Sequence, residues 1–422
     1  MNHTAFLPAD ILLPQNVDMT KFSVVACDQY TSEPDYWQAV RTLVKDSPST
    51  LHMIFPEADF KTADFDQTIY SINHTMTQYL EKDIFKTYHN SLIYVERVLR
   101  NGMLRRGLVG RIDLEAYDYS SGSHSAVRAT EGTVLERLPP RVKIRRKAPL
   151  ELPHVMLLVD DPEQSVIEPL SFKRDVFRKL YDFDLMQQSG HLTGWLLDEK
   201  TQESVIHKLH TFGDPEVFYN RYKIKGAPVL QYAVGDGNHS LATAKRCYQD
   251  LKKRIGETAA MSHPARYALV ELVNLHDASL SFEAIHRVLF GVSPEHVCSA
   301  LFKKYEFSDH AMPNSQKIDL VKGNDTKTVY LLNPTKNLAV GSLQEFLDSY
   351  VAENGGEVDY IHGENVVRSL SDQKDAIGFL LEPLKKADLF PTVIVDGALP
   401  RKTFSMGEAC DKRFYCEARK IR

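Results

Sequence analysis

The chain lacks a CxxC pair: its five cysteines (Cys27, Cys247, Cys298, Cys410 and Cys416) are odd in number and mostly far apart. That spacing excludes a disulfide framework and a thiolate zinc site, and predicts five free thiols in a reducing, cytoplasmic setting. Long apolar runs are missing too. The longest, such as residues 155–159 and 267–270, fall far short of the ~20 residues a membrane helix needs. Met1-Asn2-His3-Thr4-Ala5 has neither the basic residues nor the apolar stretch of a signal peptide, and Asp10 breaks the short apolar segment after it, so none is expected. There is no internal repeat and no long Gly/Ser linker. GxxxxGK(S/T), GxGxxG and HExxH are all absent, which removes the familiar nucleotide loops and the zinc-peptidase site. His207 and His210 have helical spacing without the accompanying residues such a site requires.

What is present is an ordinary globular composition. The 422 residues are 43% hydrophobic and 25% charged, and 51 Lys+Arg against 56 Asp+Glu leaves a net charge of −5. The balance speaks against a nucleic-acid protein relying on global charge. The length predicts two or three lobes. We expect a β-rich mixed lobe over 1–150, a core over 151–310, and a C-terminal α/β lobe over 311–422 that contributes to the site. Residues 91–100 and 104–116 read as strands joined by the hairpin signal Asn101-Gly102. Residues 141–145 alternate strictly and predict a strand with a basic face. Ser171 is expected to open a helix with Phe172, Val176, Phe177 and Leu180 on one face. Further on, strands and helices alternate, with Ser293-Pro294 as a helix start. The fold class is α+β, a mixed α/β chain.

The densest functional signal is Gly235-Asp236-Gly237-Asn238-His239-Ser240, with Lys245 just over a helical turn later. A strand over 229–234 precedes it, and Leu241, Ala244, Tyr248 and Leu251 come after it at helical spacing. The glycines allow backbone conformations closed to other residues, Asn238 tolerates the left-handed region, and Ser240 suits a helix N-cap. Such a turn presents free N–H groups and the positive end of a helix dipole, which suits a phosphate. Asp236 beside a phosphate would repel it unless a cation or acceptor hydroxyl intervenes, which makes it a candidate magnesium ligand or general base. The plainer alternative is a strand–helix turn in which Asp and Asn cap and His239 packs.

Two other clusters have the right residue types. Arg128-Ala129-Thr130-Glu131-Gly132-Thr133 could orient a phosphate or an amino acid, or be a surface turn with an Arg–Glu pair. His286-Arg287, after Glu283, could bind phosphate and shuttle protons, or be a helix start with Ile285, Val288 and Leu289 packed inward. Arg401, Lys402 and Thr403 lie in what reads as a C-terminal loop returning to the site. Cys27 beside Asp28 reads as a buried thiol.

These motifs carry a resemblance. The turn resembles the Asp-Gly-His-His-Arg type signature of a family of uncharacterised bacterial and archaeal proteins, domain-of-unknown-function family 1015. Val24-Val25-Ala26-Cys27-Asp28-Gln29-Tyr30, Ala284-Ile285-His286-Arg287-Val288-Leu289 and Leu399-Pro400-Arg401-Lys402-Thr403-Phe404 resemble other segments of that family. More distantly, the turn is similar to the phosphate-binding turn of the ParB/sulfiredoxin-like superfamily, which includes free-serine kinases using ADP or ATP. The resemblance implies a ParB/sulfiredoxin-like core with additional α/β lobes. It implies ATP or ADP with Mg2+ held at Gly235, Gly237, Asn238, Ser240 and Lys245, with Arg128, Thr130, His286 and Arg287 completing the clamp. Asp236, His239 and Glu131 would be catalytic, Asp236 also holding the metal. The chain departs from the pattern at Ser240, where the superfamily has Arg, because a hydroxyl cannot supply a bidentate charged clamp.

The expected activity is phosphoryl transfer from a nucleotide to a small hydroxy acceptor, L-serine foremost. A non-catalytic nucleotide switch, or a phosphoserine phosphatase or binding protein, is the alternative. The expected partner is a small molecule; a homodimer stays open, and neither a membrane nor nucleic acid is expected.

Overall fold

The computed structural model describes residues 4–120 and 122–422; residues 1–3 of the segment read for a signal peptide lie outside them. The chain is mixed α/β and divides into two compact units, Met1–Leu280 with Gly407–Arg422, and Ser281–Met406.

The first unit is built on a ten-stranded mixed sheet, counted among the described residues. Ile93–Val98 and Leu104–Asp113 form the antiparallel hairpin that Asn101-Gly102 signals, Gly102 taking a φ of 82°. Leu104–Asp113 pairs antiparallel with Tyr267–Asn274, which runs parallel to Val155–Val159. Next comes Tyr232–Asp236, antiparallel to Val155–Val159 and parallel to Val127–Ala129. Successive side chains alternate faces, and both faces are covered. Tyr94, Leu108, Leu157 and Tyr232 are buried in one core; Ile93, Val95, Val109 and Leu269 are buried in another. Three further pairings fix the end of the chain within this unit. Phe414–Tyr415 pairs with Val24–Val25, Arg419–Lys420 with Leu150–Glu151, and Ala418 bridges to Leu12.

The second unit carries a seven-stranded antiparallel sheet, again among the described residues. Its long strand Phe282–Phe290 pairs with Glu357–His362, Ala376–Leu380 and Phe404–Met406. The helices Pro294–Lys304 and Ala339–Asn354 bury Val297, Leu301, Leu343 and Leu347 against it. Ser293 caps the first of these by accepting from His296 N, as Ser-Pro predicts.

Three expectations are corrected. Residues 141–145 are the end of a helix, Leu138–Arg145, not a strand. A five-residue alternation is short enough for the i, i+4 pair Leu138 and Val142 to prevail; both are buried against Ala242. Residues 168–176 form a 3-10 helix and 178–184 a strand, leaving Phe172 and Val176 90% and 78% exposed. His286 and Arg287 stand within a strand, not at a helix start, although Ile285, Val288 and Leu289 do pack inward.

Candidate functional site

The strand Tyr232–Asp236 reaches its last residue through an irregularity. Asp236 faces Met156 and Val234 faces Leu157, so Gly235 is left without a partner across the ladder. Such a bulge re-aims the side chain after it. Gly237 then turns the chain with a φ of 79°, and a Cβ there would lie 3.0 Å from Val155 Cα and 3.1 Å from His154 O. The turn is therefore pressed onto the 154–155 backbone as only glycine allows.

The helix Asn238–Ile255 starts here, and its N-cap is Gly237 rather than Ser240, with no side chain capping it. Asn238, His239 and Ser240 thus occupy the first turn, where N–H groups have no intrahelical acceptor. Asn238 Oδ1 is also buried with no hydrogen-bond partner among the described residues. These groups open onto a cavity of about 250 Å³. Its lining is mixed: Met53, Phe55, Phe60, Met76 and Ile144 are apolar, and Asp28, Glu131, His154, Asp236 and Ser240 are polar.

Facing the turn is a hydrogen-bonded chain. His154 Nε2 lies 3.2 Å from Asp28 Oδ2, and its Nδ1 lies 2.5 Å from the Tyr415 hydroxyl. Tyr415 in turn donates to Cys27 Sγ at 3.5 Å and accepts from Cys27 N at 3.2 Å. Burial alone would raise the Asp28 carboxyl and lower His154, but their mutual attraction and hydrogen bond outweigh it, so Asp28 falls below the ordinary range and His154 rises well above. The pair is carboxylate and imidazolium, and the imidazolium donates from both nitrogens. Burial, with Cys27 and Asp28 nearby, pushes the Tyr415 phenol up.

His239 has the opposite character. Burial, then the charges of Arg141 and Arg137, lower it to about 4. Its Nε2 accepts from Val134 N at 3.2 Å, so the neutral ring holds the loop carrying Glu131 and Gly132 against the cavity, its proton on Nδ1. Asp236 accepts from Gly237 N at 3.0 Å and lies 3.4 Å from Lys412 Nζ.

The expected cations go elsewhere. Arg128 is buried and donates to the carbonyls of Ser125, Pro228 and Val229. Thr130 donates to Val234 O at 2.7 Å, stitching two parallel strands. Lys245 is 9% exposed and donates to Leu114 O at 2.7 Å. Arg287, fully buried in the second unit, donates to Gln344 Oε1 and the carbonyls of Ile285 and Lys402, and stacks over Tyr360. His286, in the same unit, accepts from Leu381 N. Each of these groups spends its donors or acceptors on the fold. The structure does gather Gly237, Asn238, His239, Ser240, Asp236 and Glu131 around one cavity, with Gly235 just behind in the bulge. Sequence reasoning missed His154, Tyr415 and Lys412, which carried no local pattern; Asp28 stood inside a quoted motif and Arg141 inside the basic run 141–145.

Among the described residues no group of three or more His, Cys, Asp and Glu side chains is arranged to hold a metal ion. A magnesium ion usually takes one or two carboxylates plus substrate phosphates, and Asp236 fits that lesser demand. No helix among the described residues is long and apolar enough to cross a membrane.

A bulged strand, a glycine turn and an uncapped helix start above a half-apolar cavity define a mixed α/β protein with a candidate anion cradle. By sequence the chain belongs to the family described as "Protein of unknown function (DUF1015)", whose model matches residues 10–350. None of the curated proteins matches it. Among solved structures, it is similar to a free serine kinase in complex with AMP at 12% identity and a TM-score of 0.38, over 74% of this chain and 91% of that one. It is similar to SbnI with C-terminal truncation from Staphylococcus aureus at 10% identity and a TM-score of 0.36, over 71% and 82%. A conserved hypothetical protein from Pyrococcus furiosus shows 11% identity and a TM-score of 0.35, over 74% and 94%.

Proposed function

We propose that the chain is a nucleotide-dependent phosphotransferase acting on the hydroxyl of a small amino acid, L-serine foremost. The observation that carries this reading is the uncapped start of the helix Asn238–Ile255, opening on a cavity lined by both apolar and polar side chains. An anionic phosphate suits the free N–H groups and the dipole, and a purine suits the apolar part of the lining. The likeness of the turn to a phosphate-binding turn supports the same reading.

In this proposal the terminal phosphoryl group of ATP or ADP is transferred to the acceptor oxygen. The bond to the bridging oxygen breaks as the new P–O bond forms, and the hydroxyl proton passes to Asp236 or Glu131. Such transfer needs mainly positioning and neutralisation of charge. Asp28 is a poor base because its partner holds it strongly ionised. It is suited instead to a cation, such as the ammonium of an amino acid. Asp236, with the phosphates, would hold a magnesium ion, which would supply neutralisation of the phosphate charge.

Phosphorus NMR of the full chain with magnesium, ATP or ADP and L-serine tests this. We expect a new phosphomonoester signal that requires serine, reduced at least ~100-fold in rate in His239→Ala, with the circular dichroism spectrum unchanged. Nucleotide line broadening without turnover would instead indicate a binding switch. Release of inorganic phosphate from phosphoserine without nucleotide would indicate a phosphatase.

A further inference from the structure

We propose that Lys412 is the phosphate-binding cation of the Asp236–Ser240 turn, supplying the charge that Ser240 does not. The inference rests on the phosphate reading of that turn and assigns it a residue distant in sequence.

Its placement supports the role. Lys412 Nζ lies 3.4 Å from Asp236 Oδ2, and its side chain is only 16% exposed, so its charge is weakly screened. Its charge also reaches Asp28, a second carboxylate that lines the cavity. The backbone on which it stands is fixed. The guanidinium groups of Arg97 and Arg105, 2% and 5% exposed, donate to the carbonyls of Cys410, Asp411 and Lys412. Arg97 also stacks over Phe414, 5.1 Å from its ring centre. The next residue, Arg413, points the other way into buried pairs with Glu271 and Glu417. The loop thus directs one ammonium group, and no neighbour of it, at the turn.

The arginines that line the cavity, and Lys245 on the helix, are already engaged. Arg141 is paired with Glu57, Arg145 with Glu151, and Lys245 with a carbonyl. Lys412 is paired with the turn's own carboxylate, the group that would repel a phosphate placed on the amides of 238–240. An ammonium there neutralises Asp236 before the ligand arrives and faces the phosphate afterwards. A phosphate carries more charge than a carboxylate, so the lysine gains by the exchange.

Calorimetric titration of the full chain with ADP and, separately, inorganic pyrophosphate tests the assignment at low and moderate salt. Lys412→Gln should weaken both by ~10–30-fold, the loss of one charge-assisted hydrogen bond, and should flatten the salt dependence. Lys412→Arg should stay within about threefold of wild type. Melting temperatures of all three should agree, because the buried arginines hold the backbone of this loop and not the Lys412 side chain. Wild-type affinity for either probe in Lys412→Gln would overturn the assignment while leaving the phosphate reading standing. Failure of wild type itself to bind ADP or pyrophosphate would overturn both.

Discussion

At the scale of single residues, the two histidines at the cavity respond oppositely to their surroundings. His154 sits against a carboxylate and keeps its proton; His239 sits near two arginines and loses it. Their linkage to stability is set by those directions. The folded value of His154 lies above its ordinary 6.5, so its contribution is complete below 6.5 and is lost as pH rises through the folded value. Asp28 is lowered from 3.8, so its contribution is present above 3.8 and is lost as pH falls through the folded value. His239, lowered from 6.5 to about 4, contributes above 6.5 and loses that contribution on acidification across this interval. Asp28→Asn should therefore cost about 2 kcal/mol near pH 6, the worth of a hydrogen bond between charged groups. It should cost progressively less at alkaline pH, where wild type has also lost the His154 proton. Melting temperatures of both proteins from pH 5 to 9 check this, and parallel curves would show that His154 titrates independently of Asp28.

The site was partly legible at this scale. Gly235, Gly237 and Asn238 announce a turn because few residues tolerate its backbone, and the turn is where they stand. Ser240 misled as a cap, since a glycine in the left-handed region starts the helix sooner than its hydroxyl suggests. Arg128 and Arg287 were plausible phosphate ligands by residue type. Burial engages both with the fold, because a guanidinium deep in a sheet must satisfy its donors with whatever acceptors are near. Lys412 and His154 were invisible, because nothing in a sequence reports that residues so far apart meet at Asp236 and Asp28.

At the scale of elements, the turn and the helix after it act together. Gly237 holds a φ of 79° with its missing Cβ facing Val155 and His154, while Gly256, at the other end of the same helix, holds 86° with open space around it. Gly237→Ala should cost about 1–3 kcal/mol through strain and contact, and should also weaken ADP by displacing the amides of 238–240. Gly256→Ala should cost about 1 kcal/mol through strain alone and leave ADP affinity unchanged. Thermal melts with ADP titrations separate the two, and equal loss of affinity in both would detach binding from the turn. Strands were the elements best read from sequence. The hairpin at Asn101-Gly102 and the apolar runs of 155–159 and 267–270 are set by alternation or burial within a few residues. Residues 141–145 and 171–180 were misread because Arg and Lys spacing, and an apolar stripe ending in exposed Phe172 and Val176, are compatible with two periods at once. Tertiary partners chose between them.

At the scale of the molecule, the first unit depends on chain that comes after the second. Gly407–Arg422 brings Arg413 to Glu271 and Glu417, Arg419 to Glu151, and Tyr415 to His154. Glu271 is buried, and stranding it without Arg413 costs about 3–5 kcal/mol, while Glu151 keeps Arg145 but loses Arg419. A chain stopped after Met406 should thus lose the cooperative melting of the first unit. Ser281–Met406, which is continuous, should keep its own transition. Calorimetry with limited proteolysis distinguishes these, and an unchanged first transition would show the last strands to be dispensable.

Because the first unit is assembled from both sides of the second, its order of completion is set by translation. A ribosome delivers Ser281–Met406 whole before it delivers Phe414 or Arg419. The continuous unit can therefore settle while its neighbour still waits, with Val24–Val25 and Leu150–Glu151 as unpaired edges. Those edges are where a nascent chain of this protein would be most exposed to a chaperone or to mispairing with another copy.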